Sequence, residues 1–340
     1  MKKYLYILIA AILMAGCLSA CSSGSGQTVA NNGKIQVVTT IFPEYDWVMN
    51  ILGENPAGIE AAMLLDSGVD LHSYQPTADD ILKISTCDLF IYVGGESDEW
   101  VDDALQEATN KDMVVINLLD VLGDSVREEE LVEGMQEEEH EHDHEEGDEH
   151  DEDEHEHEEG EAEYDEHVWL SLKNASVLVQ KISDAIQTID KENADIYKAN
   201  ASAYIEKLNA LDMQYQETVD GATFHTLLFG DRFPFRYLVD DYGLDYYAAF
   251  AGCSAETEAS FETITFLAGK VDELSLPAVM TIEGTDHRIA ETIVQNTQSK
   301  SQQILSLDSM QSTTAGDVQN GTTYLSTMEN NLSVLKDALK

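Results

Sequence analysis

Short runs of β-branched and apolar residues alternate with helical stretches along this chain, and the alternation occurs twice. The predicted strands cover 34–41, 60–65, 88–94 and 113–118, and then 223–229, 245–250, 278–283 and 303–307. Strands that alternate with helices form parallel sheets covered by helices on both faces. The sequence therefore predicts an α/β fold with two lobes, each a four-stranded parallel sheet flanked by helices.

A long stretch without Pro or Gly separates the two sets of strands, at residues 191–220. One face of it repeats apolar side chains at steps of three and four residues, as in a packed helix. We therefore predict an N-terminal lobe at 34–190, a linker helix at 191–220 and a C-terminal lobe at 221–340. Ligands of open α/β sheets bind at the carboxyl ends of the strands, which places the expected site in the cleft between the lobes.

The N-terminus has the pattern of an export signal. Two lysines precede an uncharged apolar run, so residues 1–20 are predicted to be a signal peptide. The sequence Leu-Ser-Ala-Cys ending at Cys21 resembles the bacterial lipobox, with Cys17 as a second candidate for lipidation and an ordinary cleaved signal as the alternative. The Ser/Gly-rich residues 21–33 are expected to be a flexible tether. The expected location is therefore the outer face of the cytoplasmic membrane, anchored by lipid.

The chain is strongly acidic, with 18 Lys and Arg against 66 Asp and Glu and a net charge of −48. This balance argues against nucleic acid as a partner, since phosphate binding needs surplus positive charge. Residues 128–166 contain half of the net negative charge and are predicted to be a disordered insert of the first lobe.

The acidic insert also contains six of the ten histidines: His140, His142, His144, His150, His155 and His157. Many are spaced two apart, and such residues do not share a helix face. We interpret the insert as a flexible auxiliary chelator of metal ions, with a solvated loop carrying incidental histidines as the alternative. The match to H-E-x-x-H at 140–144 is not taken as a protease motif, because that chemistry requires a packed helix.

Two of the remaining histidines lie where a ligand would bind. His72 follows a predicted strand, and His167 precedes a predicted helix. Imidazole nitrogens suit divalent transition metals, with carboxylates completing the shell. His225, within a predicted strand, and His287, on an exposed helix, are not expected to bind metal.

Four segments together resemble the zinc- and manganese-binding cluster of solute-binding proteins of ABC transporters. DLHSYQPTADDI at 70–81 is similar to the family pattern D-P-H-x-Y-x-P-x-x-x-D, and DEHVWLSLKNA at 165–175 is similar to D-P-H-x-W-L-x-P. FGDRFPFRYLVDDYGL at 229–244 resembles the segment that opens the family's second lobe, and SAETEAS at 254–260 resembles P-E-x-E-P-S. A His-rich insert before the second histidine is typical of the zinc-binding members.

The resemblance implies a metal site made of His72, His167 and Asp308. Gly230 stands at the position that the resemblance assigns to a third ligand, so one donor is missing. Asp231 is a substitute, although it also suits the N-cap of the next helix. Glu283, at a predicted strand end, is another substitute, and water a further one.

The expected function is capture of Zn²⁺, with Mn²⁺ as the second candidate, and delivery to the permease of an ABC importer by a monomeric, non-enzymatic lipoprotein. One alternative is a surface metal buffer or adhesin. Another is a metallohydrolase using the coordination position left open at Gly230. Cys87 and Cys253 are expected to be free, buried thiols in different lobes.

Overall fold

The computed structural model describes residues 34–136, 163–254, 258–284 and 286–340. The predicted signal peptide, the tether with Cys17 and Cys21, and the six histidines of the insert lie outside these ranges. Residues 35–340 belong to one compact unit. Within the described ranges, no helix combines the length and the apolar character needed to cross a membrane.

The first sheet has four parallel strands in the order β2-β1-β3-β4. The strands are β1 (Gln36–Thr39), β2 (Glu60–Met63), β3 (Leu89–Tyr92) and β4 (Val114–Asn117). The helices between and after them are α1 (Phe42–Leu52), α2 (Ala78–Thr86), α3 (Trp100–Gln106) and α4 (Leu118–Leu122). Thr77 and Asp80 form a capping box that starts α2.

Two antiparallel helices follow, α5 (Leu172–Ile189) and α6 (Ala194–Asp220). Ser171 caps α5 by accepting a hydrogen bond from the Asn174 N–H. The 27-residue α6 is the predicted linker helix, and its predicted apolar face is buried: Tyr197, Ala201, Tyr204, Leu208, Leu211 and Tyr215.

The second sheet repeats the first, with four parallel strands in the order β6-β5-β7-β8. The strands are β5 (Thr226–Phe233), β6 (Asp245–Ala251), β7 (Ala278–Ile282) and β8 (Gln303–Leu307). The helices are α7 (Arg236–Tyr242), α8 (Phe261–Leu274), α9 (Arg288–Asn296), α10 (Ala315–Gln319) and α11 (Tyr324–Ala338). The predicted fold class, with two four-stranded parallel sheets, is confirmed.

Strand β5 extends four residues beyond its predicted end at Phe229. Its pairing with β6 is interrupted between Phe229 and Arg232, and then resumes. A bulge of this kind re-aims side chains at the end of a strand. As a result Arg232 belongs to the strand and reaches toward the first lobe.

One buried apolar core extends through both lobes. It includes Trp47 of α1, Trp169 between the sheets, Phe229 of β5 and Tyr324 of α11. The Trp169 indole N–H donates to the Ser309 carbonyl at 2.8 Å, and the Tyr324 hydroxyl donates to the Trp169 carbonyl at 2.6 Å. These bonds cross the boundary between the lobes, so the lobes are packed together rather than merely tethered.

The two ends of the acidic insert are described, and they make specific contacts where disorder was predicted for all of 128–166. Glu128 and Tyr164 form an antiparallel bridge, and the Glu129 N–H donates to the Glu163 carbonyl at 2.9 Å. The Gln136 N–H donates to the Ala249 carbonyl of β6. Backbone pairing overcomes the acidic composition at these ends, so the prediction applies at most to residues 137–162.

Candidate metal centre

His72 lies on a short 3₁₀ turn, Leu71–Ser73, after β2. The Asp70 carboxylate caps this turn by accepting from the His72 N–H at 3.1 Å. The His72 Nδ1 lies 2.7 Å from the Ser97 hydroxyl and 3.4 Å from Glu166 Oε2. These partners fix the ring and direct its Nε2 away from them.

His167 precedes another 3₁₀ turn, Val168–Leu170, and is fully buried. The Asp165 Oδ1 accepts from the His167 backbone N–H and lies 2.9 Å from its Nδ1. The Trp169 ring packs 5.2 Å from the imidazole, centroid to centroid. A carboxylate on Nδ1 selects the tautomer that leaves Nε2 free to bind a metal.

The two Nε2 atoms lie 3.2 Å apart. Two nitrogens on one tetrahedral Zn²⁺ ion are separated by about 3.3 Å, given Zn–N bonds of about 2.0–2.1 Å. The partners of the two Nδ1 atoms assign a proton to each Nδ1. In the neutral form, each Nε2 therefore carries a lone pair, and the two lone pairs point at each other. A proton or a metal ion between them relieves that repulsion, so the pair is shaped for a shared cation.

The protonation of the pair is divided between the two rings. Burial, followed by the charge of His167, lowers the pKa of His72 to about 3. Burial also acts to lower the pKa of His167, but Asp165 beside it reverses this, and the pKa of His167 is raised. In the metal-free protein the first proton taken up by the pair therefore goes to His167, and a metal ion must displace that proton.

Cys253 lies near this pair. Among the described residues, one group of three potential metal-binding side chains is formed by His72, His167 and Cys253, whose ligand atoms lie within 4.8 Å of one another. Cys253 is a free thiol, as predicted, but it is half-buried rather than buried. It lines an open pocket of about 860 Å³ together with His72, Ser97, Glu129 and Glu166.

Arg232 brings a positive charge to the edge of the site. Its Nη2 donates to Asp70 Oδ2 at 2.7 Å, and its Nη1 donates to the Ser254 carbonyl at 3.4 Å. Burial acts to raise the pKa of Asp70, but the charge of Arg232 outweighs this effect and the pKa is lowered. The guanidinium thus connects the turn that holds His72 with the loop that holds Cys253.

Asp308 and Glu283 make a second acidic cluster, outside the group of His72, His167 and Cys253. Glu283 accepts hydrogen bonds from the Ser309 N–H and hydroxyl and from the Gln311 N–H, and Asp308 accepts from the Met310 N–H at 2.8 Å. Burial, followed by the charge of Glu283, raises the pKa of Asp308 to about 6. In this structure both carboxylates hold the loop after β8.

Asp231 is a structural link in β5. Its Oδ1 accepts from the Arg232 N–H, and its Oδ2 accepts from the Ile282 N–H of β7 at 3.2 Å. It is not a helix N-cap, because α7 begins five residues later with Phe235 at its N-cap position. Asp231 is likewise outside the group formed by the two histidines and Cys253.

Gly230 packs against helix α9. A Cβ atom at this position would lie 2.6 Å from the Ala290 Cα and 2.8 Å from the Ala290 N. The glycine is thus required by close packing of β5 on α9.

We predict that Gly230→Ala destabilises the protein by about 1–3 kcal/mol, because the new methyl group would overlap helix backbone. Urea unfolding measures the change. Gly269→Ala on α8 is the matched control: its Cβ would meet no described atom within 4 Å, and alanine favours a helix by about 1 kcal/mol. An unchanged stability for Gly230→Ala would contradict the packing role.

His225 and His287 lie outside the group formed by His72, His167 and Cys253. His225 is exposed and precedes β5, where its carbonyl accepts from the Asp245 N–H. His287 adopts a left-handed backbone conformation at the start of α9. Neither belongs to the group that contains His72 and His167.

Several residues of the centre were not predicted as site residues. Cys253 follows the carboxyl end of β6, and Ser97 follows that of β3, which are positions where ligands bind in parallel sheets. That signal was present in the sequence, but a cysteine there is equally typical of a packed core. The position of Arg232 at the site could not be predicted without knowing where β5 ends.

Comparisons with known proteins identify the family of the chain. A model of the family described as "Zinc-uptake complex component A periplasmic" matches residues 37–338. The chain is 32% identical over 336 residues to the zinc-binding lipoprotein AdcA of Streptococcus pneumoniae, covering 99% of this chain and 61% of AdcA. It is 29% identical over 347 residues to the high-affinity zinc uptake system protein ZnuA of Bacillus subtilis, covering 99% and 98%.

A solved structure supports the same relationship. The crystal structure of the Zn(II)-bound ZnuA-like domain of S. pneumoniae AdcA has a TM-score of 0.67 and 28% identity, and the match covers 90% of this chain and 99% of that one. The chain spans 61% of the length of the AdcA relatives it matches. The family match over residues 37–338, on a fold of two parallel sheets, shows that this chain belongs to the ZnuA family of solute-binding proteins.

Proposed function

We propose that this chain is an extracytoplasmic carrier that captures Zn²⁺ at His72 and His167 and delivers it to the permease of an ABC importer. The carrier would be monomeric, anchored to the membrane through a lipid on Cys21. The names of the AdcA and ZnuA relatives, as zinc-binding lipoprotein and zinc uptake protein, support zinc as cargo and membrane anchoring.

The observation that carries this proposal is the histidine pair. Its Nε2 atoms are 3.2 Å apart, and each Nδ1 is held by a partner of its own. Such a pair binds a divalent ion without prior rearrangement of its rings, which favours capture at low concentration. Capture and release change only the protonation of the ligand atoms and convert no substrate, so we assign the chain no enzymatic step.

A surface buffer or adhesin would share this site, but a carrier alone would support uptake. We would measure uptake of radioactive zinc by cells that lack the chain and are supplied with it again. The unaltered chain and His225→Ala should restore uptake, and His72→Ala/His167→Ala should not. A chain that binds zinc but leaves uptake unchanged would overturn the carrier assignment in favour of the buffer.

We predict that zinc affinity falls as the solution is acidified, beginning above pH 6.5. The proton that competes with zinc resides on His167, whose pKa is raised by Asp165. Below that pKa the His167 proton should add about a tenfold loss of affinity per pH unit, since it must leave before the ion binds. His72, with a pKa of about 3, contributes only in strong acid.

Calorimetry at several pH values measures this dependence. Asp165→Asn is the diagnostic variant, because it removes the charge that raises the His167 pKa. In that variant the loss of affinity should begin at a lower pH. Affinity that is constant between about pH 8 and about pH 5.5 would contradict displacement of a histidine proton.

A further inference from the structure

We propose that Cys253 is the third metal ligand, so that the centre binds zinc through two imidazole nitrogens and one thiolate sulfur. This inference rests on the proposed function, since it concerns the same ion. The proposed donor lies in the loop after β6. The resemblance to the family instead implied a ligand at the position occupied by Gly230, where the donor is missing, and another at Asp308.

The first argument is distance. The Cys253 sulfur and the ligand nitrogens of His72 and His167 lie within 4.8 Å of one another. A sulfur and a nitrogen on one tetrahedral Zn²⁺ ion are separated by about 3.6 Å, given a Zn–S bond of about 2.3 Å. A distance at the 4.8 Å limit would have to shorten by about 1.2 Å, which is within reach of a side-chain rotation.

The second argument is that the loop is held in place from two sides. The Cys253 N–H donates to Glu129 Oε1 at 3.1 Å, and Arg232 donates to the next carbonyl, at Ser254. The preceding Gly252 permits close approach, because a Cβ there would lie 3.1 Å from the His167 Cε1. The backbone beside His167 is thus fitted to bring the thiol over the imidazole edge.

The third argument is an unsatisfied acceptor beside the three donors. Glu166 Oε2 is buried and accepts no hydrogen bond from the described residues, and it lies 3.4 Å from the His72 Nδ1 in the same pocket. A buried carboxylate oxygen without a donor is costly. A divalent ion on the His72 Nε2 would add positive charge to the ring whose Nδ1 faces this oxygen, so Glu166 supports a cation at the histidine pair.

Binding through sulfur requires the loss of one proton. In the metal-free protein, burial and then the carboxylate of Glu129 raise the pKa of the Cys253 thiol. A bound metal deprotonates its thiol ligand outright. The S–H bond breaks, the proton passes to water and the sulfur–metal bond forms with the electron pair left on sulfur, so no oxidant or reductant takes part.

A thiolate ligand would also decide which ion the centre selects. Thiolates favour Zn²⁺, whereas carboxylates suit Mn²⁺. With two nitrogens and one sulfur, the centre should prefer zinc over manganese more strongly than a centre of two histidines and carboxylates. Cys253→Asp should reduce the ratio of zinc to manganese affinity by at least about tenfold.

Cobalt(II) titration followed by absorption tests the proposal, since thiolate ligation gives an intense near-ultraviolet charge-transfer band. The full chain would carry Cys17→Ser, Cys21→Ser and glutamine at the six insert histidines, to remove other donors. We expect the band to reach its maximum at one equivalent of cobalt and to be lost on addition of zinc. Cys253→Ser should abolish the band, and Cys87→Ser, which removes the other described thiol, should retain it.

The outcomes separate the two proposals. Cobalt and zinc binding at one equivalent without the charge-transfer band would overturn the thiolate ligand and leave the proposed function intact. If the chain that carries only the cysteine-to-serine and insert substitutions binds neither cobalt nor zinc, both proposals are overturned. Retention of the band in Cys253→Ser would also overturn the assignment to Cys253.

A second measurement does not depend on the folding of a variant. In the unaltered chain, one equivalent of zinc should slow alkylation of Cys253 by iodoacetamide at least about tenfold, as measured by peptide mass spectrometry. Cys87 is fully buried and should react slowly with or without zinc. Equal alkylation rates of Cys253 in both conditions would contradict sulfur ligation.

Discussion

His167→Ala is expected to weaken zinc binding at the centre by more than about 100-fold. Replacing a residue that only orients a ligand costs about 10–100-fold in metal affinity, and His167 supplies the ligand atom itself. It also anchors the contact with Asp165 that fixes its ring. Competition calorimetry against a chelator of known affinity measures the loss, in a chain whose six insert histidines are replaced by glutamine.

The control for this prediction is His225→Ala, which removes an exposed imidazole outside the centre. It should leave the zinc affinity within about twofold, a difference of about 0.4 kcal/mol. His72→Ala should resemble His167→Ala, because the two nitrogens face the same position. If the affinity of His167→Ala matches that of the unaltered chain, zinc binds elsewhere and the proposed centre is wrong.

Trp169→Ala is expected to destabilise the protein by about 3–5 kcal/mol, the range for truncating a large buried aromatic side chain. The indole is buried between the lobes, and its N–H satisfies the Ser309 carbonyl. Its ring also supports His167, so zinc affinity should fall as well. Urea unfolding of the metal-free chain gives the stability change, and calorimetry gives the affinity.

Trp169→Phe separates the two contributions of this residue. It keeps an aromatic ring but removes the donor, and a buried carbonyl left without a partner costs about 1–3 kcal/mol. Met213→Ala on the exposed face of α6 is the control and should change the stability by at most about 0.5 kcal/mol. A Trp169→Ala chain as stable as the Met213→Ala chain would show that the core does not depend on contact between the lobes.

Much of the fold and half of the centre follow from local patterns in the sequence. Alternating apolar runs predict both sheets, and the long stretch without Pro or Gly predicts α6 to within three residues at its start. His72 and His167 could be paired because the carboxyl ends of parallel strands meet at the same edge. Their spacing of 3.2 Å, in contrast, is a property of the folded chain alone.

The other features of the centre could not be predicted from local sequence patterns. The end of β5 depends on a bulge, and that bulge decides that Arg232 contacts Asp70. Gly230 invites interpretation as a missing ligand until its contact with Ala290 shows a packing role. Cys253 resembles any small apolar residue in the sequence, and its proximity to the two imidazoles arises from pairing between Glu129 and a distant loop.

The core that extends through both lobes means that occupancy of one small site should change the stability of the whole molecule. Local opening of one lobe would expose apolar surface shared with the other, from Trp47 to Tyr324, so both lobes should melt in a single cooperative step. An ion at a thousand times its dissociation constant adds about 4 kcal/mol to that step. The melting temperature of the intact chain would then serve as a gauge of free zinc around it.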